Sequence, residues 1–88
     1  MSRDVKFTQP AFEEFWYWAS QDKKTLKKIY RLISDTQRNG YGGIGKPEPL
    51  AGDLAGYWSK RIDDANRFIF RIADNVVEIY QCYGHYEK

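Results

Sequence analysis

The chain has 88 residues, a formal net charge of +2 from 14 Lys+Arg against 12 Asp+Glu, and aromatic rings at 17% of positions. That length allows one modest core in a single domain over residues 1–88 and leaves no room for an internal substrate cavity, so an active site would have to be an open surface groove. The single cysteine, Cys82, excludes an internal disulfide, and with neither a long apolar run nor a basic-then-apolar leader the chain is expected in the cytoplasm, with no membrane partner.

"DVKFT" alternates as a short opening strand. Thr8 then offers an N-cap for a helix from about Gln9 to Gln21, with Pro10 tolerated in the first turn. Phe12, Phe15, Trp16 and Ala19 follow the i, i+3, i+4, i+7 spacing of a core-facing stripe. Asp22 can cap a second helix from Lys23 to Arg38, with Leu26, Ile29, Leu32 or Ile33, and Thr36 on its apolar side, and Asn39-Gly40 ends it. The two helices are close enough to form a hairpin. The next stretch, "GYGGIGKPEPLAG", is too rich in Gly and Pro for regular structure and reads either as an ordered functional loop or as a crossing between layers. Its glycines lack the strand before and helix after that a phosphate-cradling fingerprint needs.

From there the period changes to two. "GYWSKRI", "NRFIFRIA" and "VVEIYQCYGHY" read as three strands joined by short turns, hence an antiparallel meander. Parity sends Phe68, Phe70 and Ile72 one way and Arg67, Ile69 and Arg71 the other; Tyr57, Ser59 and Arg61 share a face, as do Tyr83 and His85. The expected fold is α+β, with two N-terminal helices packed on one face of a small, twisted, mainly antiparallel sheet. The open face would then carry arginines, tyrosines and the only histidine. Charge is uneven as well: Lys23 to Arg38 holds six cations and one acid, which gives one side of the molecule a polyanion-binding character or simply a solvated helix face.

Four stretches together resemble the YoeB branch of the RelE-like bacterial toxins: "FWYW" in the first helix, "GKPEPL" at 45–50, "GYWSKRI" with "NRFIFRI" between 56 and 72, and the closing "CYGHY". The resemblance implies a RelE-like fold and a ribosome-dependent messenger-RNA endonuclease, neutralised by a co-expressed, YefM-like antitoxin. Carried over by position, it gives the catalytic carboxylate to Glu48, the phosphate-binding arginine to Arg67, a second arginine to Arg61, and the near-terminal His-Tyr pair to His85 and Tyr86. Lys46, Lys60, Arg71 and Tyr83 are further expected RNA contacts, and Lys23, Lys24, Lys27, Lys28 and Arg31 expected ribosome contacts. The chain departs from the family pattern at Ala51, where a basic residue often follows "PEPL", at Gly84, and in the Glu87-Lys88 extension.

RNA can be cut through its own 2′-hydroxyl if a protein supplies a base, an acid and positive charge for the phosphorane. Glu48, His85 and the arginines would meet those needs without a cofactor or metal. Cys82 has no neighbouring Cys or His at metal-ligand spacing. Two other readings stand beside this one: a non-catalytic superfamily toxin that binds a protein such as DNA gyrase, and a plain RNA-binding module. A homodimer is also open, with Ile69 as an expected exposed apolar contact.

Overall fold

The computed structural model describes residues 2–85. Its elements are β1 (Asp4–Phe7), α1 (Gln9–Gln21), α2 (Lys23–Asn39), β2 (Glu48–Pro49), a 3-10 turn at Gly52–Leu54, β3 (Trp58–Arg61), β4 (Arg67–Ala73) and β5 (Val76–Gln81). The helices begin where their caps predict. Thr8 Oγ1 accepts from Ala11 N at 3.2 Å, and Asp22 Oδ1 accepts from Lys24 N at 3.0 Å and Thr25 N at 3.3 Å. Asp22 also ends α1 through its own N–H, which donates to Trp18 O, so one residue separates the helices and serves both.

The strands form one five-stranded sheet in the order β1-β5-β4-β3-β2. β2, β3, β4 and β5 pair antiparallel in succession, whereas β1 runs parallel to β5, so the sheet is mixed. The parallel pair follows from connectivity: β1 reaches the sheet only after a crossover that contains both helices and the rest of the meander. Between β4 and β5, Asp74 and Asn75 both take positive φ (52° and 62°), the backbone of a two-residue turn that matches strand twist.

The helices cover one face of the sheet. Ile29, Leu32 and Ile33 of α2 and Ala11 and Trp18 of α1 pack with Ile62, Phe68, Phe70, Val77, Ile79 and Cys82. Burying the three apolar residues of α2 stabilises by roughly 1.5–3 kcal/mol each. The expected α1 stripe is rotated. Phe12 is 55% exposed and Trp16 72%, while Ala11, Phe15 and Trp18 face the sheet. Trp18 is the ring taken inward because its indole N–H finds Cys82 O at 2.8 Å; Trp16 stands on the outer side of the helix. Ile69 is also unlike its expectation: at 0% exposure, flanked on the central strand by Ser59 and Gln81, it offers no apolar surface to a second copy.

Candidate active site

The Gly-rich segment after α2 delivers a short edge strand, β2, to the outer side of β3. Glu48 pairs in register with Ser59, Ser59 with Ile69, and Arg61 with Arg67. Opposed residues on one face of an antiparallel pair have Cβ atoms about 4.5–5.5 Å apart, so these two rows bring a carboxylate and two guanidinium groups onto one patch. A cleft of about 180 Å³ opens there, lined by Lys46, Glu48, Ser59, Arg61 and Arg67.

Two like charges directly opposite each other across a ladder are unfavourable unless anions accompany them. Arg61 is met by Asp64 through Nη2, an ion pair whose acid is 96% exposed and therefore easily exchanged for another anion. Arg67 is fixed differently. Its Nη1 donates to the carbonyls of Asp63 (2.5 Å) and Asn66 (3.1 Å), so the guanidinium is oriented by neutral acceptors. The turn that supplies them is stiffened by Asp63, whose Oδ1 accepts from Ala65 N and Asn66 N at 2.8 Å each. Burial raises the Asp63 carboxyl, but those amides, the Asn66 side chain and the charge of Lys28 outweigh it and hold its pKa below the ordinary value.

His85 lies four residues beyond the end of β5, not on the strand itself. Its position is set through Gly84: Arg67 N donates to Gly84 O at 2.9 Å, and Gly84 N donates to Asn66 Oδ1 at 2.7 Å. Gln81 Nε2 adds bonds to Gly84 O (3.2 Å) and His85 O (3.4 Å). The backbone before His85 is thus tied to that of Arg67, and His85 itself is exposed and does not line the cleft. Tyr86 lies outside the described residues.

The other expected contacts divide. Lys46 lines the cleft. Lys60 does not: it is 0% exposed and turned to the helix side, because strand parity opposes it to Ser59 and Arg61, and a direct RNA contact is closed to it. Arg71 is four residues further along β4, about 13 Å from Arg67 at about 3.3 Å per residue. There it bonds Glu78 (Nε to Oε1, 2.6 Å) and lies over the Tyr57 ring at 5.3 Å. Tyr83 packs edge-on against Tyr17 at 5.2 Å and tilted on Trp18 at 5.4 Å, away from the residues that line the cleft. Lys23, Lys24, Lys27, Lys28 and Arg31 are all exposed. Lys28 shares a groove with Lys46 and Arg61, joining α2 to the cleft, whereas Lys27 and Arg31 line a separate groove with Phe15, Leu26 and Tyr30.

Sequence reading missed Ser59 as a lining residue, although parity already set it beside Arg61. Asn66 and Gln81, which hold the chain end, carried no signal, since their partners are defined only by the fold. Burial, with the Glu14 charge nearby, pushes the Cys82 thiol up to about 12, which leaves it protonated and unreactive at neutral pH. Among the described residues, no three His, Cys, Asp or Glu side chains cluster to hold a metal ion.

The sequence matches the family described as YoeB-like toxin of bacterial type II toxin-antitoxin system over residues 7–86. It is 48% identical over 84 residues to Toxin YoeB of Mycobacterium bovis, covering 96% of this chain and 99% of that protein. Among solved structures, the YoeB-YefM complex from Staphylococcus aureus superposes with TM-score 0.89 at 39% identity, covering 98% of this chain and 100% of that one. The YoeB dimer from the same organism matches with TM-score 0.89 at 40% identity and the same coverage.

Proposed function

The chain belongs to the YoeB-like toxins of bacterial type II toxin-antitoxin systems, and on that premise we propose that it is a single-domain, cytoplasmic, ribosome-dependent endoribonuclease that cuts messenger RNA and so stops translation. The observation that carries this reading is the cleft, in which Glu48 faces Arg61 and Arg67, with the backbone before His85 tied to that of Arg67. A protein that only binds a partner has no need of a carboxylate beside two arginines with a histidine next to them.

In the proposed reaction Glu48 takes the proton of the 2′-hydroxyl, and the freed oxygen attacks the adjacent phosphorus. Arg67 and Arg61 hold the non-bridging oxygens as negative charge builds on them. The P–O5′ bond breaks, and His85, with Tyr86 beside it in sequence, gives its proton to the leaving oxygen. The products are a 2′,3′-cyclic phosphate and a 5′-hydroxyl, and the electrons and protons balance with no further reactant. Lys46 binds a flanking phosphate at the cleft mouth.

An open cleft of this size grips a substrate on one side only, so the alignment of the 2′-oxygen, phosphorus and 5′-oxygen has to come from elsewhere. Holding the message in the ribosome would supply it; such positioning is worth up to about 7–11 kcal/mol of a barrier. The groove shared by Lys28, Lys46 and Arg61 gives ribosomal RNA a basic path up to the cleft. As protein partners we propose a YefM-like antitoxin, after the Staphylococcus aureus complex, and a second copy of the chain, after the dimer. Phe12 and Trp16 on α1 and Tyr30 on α2 are among the exposed large apolar side chains available to either.

The test is message cleavage in a purified translation system, with and without ribosomes, for the wild type and His85→Ala. Cuts confined to ribosome-engaged message and lost in the variant support the reading. Growth arrest without any cleavage would overturn it in favour of a protein target.

A further inference from the structure

One buried polar seam plays no part in the chemistry above. Lys60 Nζ reaches Thr36 Oγ1 at 2.9 Å, Gly40 O at 3.3 Å and Asp35 Oδ2 at 3.5 Å. The same Asp35 oxygen accepts from Ile44 N at 3.0 Å, and Oδ1 accepts from Asn39 Nδ2 at 2.6 Å. Asp35 therefore ties the end of α2 and the loop 40–46 to the strand that carries Ser59 and Arg61. The loop lies flat on this seam: a Cβ on Gly43 would fall 2.0 Å from Asp35 Oδ2, and one on Gly45 3.0 Å from the Cβ of Lys60. Both glycines have positive φ, and Gly45 O accepts from Arg61 N at 2.7 Å. Three residues past Gly45 the chain becomes Glu48.

We propose that Asp35 and Lys60 form a latch that fixes the loop 40–46 against β3, so that Lys46 and Glu48 are held facing Arg61 and Arg67; Lys60 is a positioning residue. It touches no RNA. Stability alone gives little reason to keep such a pair, because a buried ion pair is often replaceable by apolar residues of similar volume without loss. What an apolar pair lacks is an acceptor for Ile44 N and a donor for Gly40 O, the two bonds that hold the loop to α2 and the end of α2 to β3. The activity readout of this proposal rests on the endoribonuclease reading, and the exchange readout does not.

Two variants attack the latch from opposite sides. Lys60→Met keeps the length of the side chain and deletes the ammonium, while Gly43→Ala leaves both charged residues in place and drives the loop off Asp35. Gly43 is exposed on the loop, so the test stands even where Lys60→Met fails to fold. In both variants, site-resolved hydrogen exchange at Ile44 is expected to accelerate about tenfold or more while β4 and β5 amides keep their protection. Message cleavage on ribosomes is expected to fall about 100-fold, the cost of a misplacement of about 1 Å, with affinity for single-stranded RNA within about twofold of wild type. Should Lys60→Met instead weaken RNA binding and lower its salt slope by about one, with Ile44 exchange unchanged, Lys60 would be a phosphate contact and the latch wrong. Unchanged Ile44 exchange in Gly43→Ala would also overturn it. A wild type that cuts no message defeats the endoribonuclease reading only, and the exchange data still decide the latch.

Discussion

Lys60 and Arg61 are adjacent cations on β3, yet the strand turns them to opposite faces of the sheet and to opposite surroundings. Lys60 enters the helix-covered side, is fully buried and finds a carboxylate, a hydroxyl and a carbonyl. Its pKa is lowered because burial outweighs the attraction of Asp35. Arg61 points into the open cleft, and its one ion-pair partner among the described residues is the solvent-exposed Asp64. The covered face thus spends its charge inside the fold. The open face leaves charge available to a polyanion, and the proposed chemistry belongs there.

If that division is right, substitutions on the two faces should fail in different assays. The largest effects are expected at Glu48 and His85, where Glu48→Gln and His85→Ala should each lower cleavage by about 10²–10⁴-fold. Both residues are exposed, so their unfolding free energies from urea titration should lie within about 1 kcal/mol of wild type. A comparable loss of stability in either would place that residue in the scaffold instead. Phe70→Ala should invert the pattern. Phe70 is fully buried and stacks on Tyr41 and Phe68, so its loss should cost about 3–5 kcal/mol in urea unfolding. Cleavage per folded molecule would change far less.

A smaller effect should appear in acid. Burial raises the Asp35 carboxyl, but the Ile44 amide, the Asn39 side chain and Lys60 outweigh it, and its folded pKa lies below the ordinary 3.8. A carboxyl with a depressed folded pKa gives its full contribution to stability above its unfolded value and loses it as pH falls through the folded one. Asp22, Asp63 and Glu78 shift the same way, so stability should fall on acidification below about pH 4.5 through Glu78 and below about pH 3.8 through the aspartates. Asp35→Asn should flatten part of that acid limb while leaving the slope from the three surface carboxyls. An unchanged limb would mean that the fold does not depress the Asp35 pKa.

The elements were legible because their signals are local. Thr8 and Asp22 announce the two helix starts, and the period of two after Gly56 announces the meander. Parity also foretold that Ser59, Arg61 and Arg67 share the open face. The parts that escaped depend on contacts distant in the chain. β1 joins β5 in parallel only because more than half of the fold intervenes, and nothing in "DVKF" encodes that partner. In "FWYW" apolar rings occur around the whole helix, so spacing could not decide which faces inward; the Trp18 bond to Cys82 O, 64 residues away, decides it. Lys60 was misread because a lysine is almost never fully buried without a partner, and Asp35, its partner, lies 25 residues back on α2.

In the proposed chemistry the open face cuts RNA through the substrate's own 2′-hydroxyl, with Glu48 as base. The most direct measurement places a single 2′-deoxynucleotide at the scissile position of a message programmed on ribosomes and follows cleavage there. This message is expected to stay whole at that position, while the all-ribose message is cut to a 2′,3′-cyclic phosphate and a 5′-hydroxyl. Cleavage of the deoxy-substituted message at the normal rate would contradict it, since the attacking oxygen would then have to come from elsewhere.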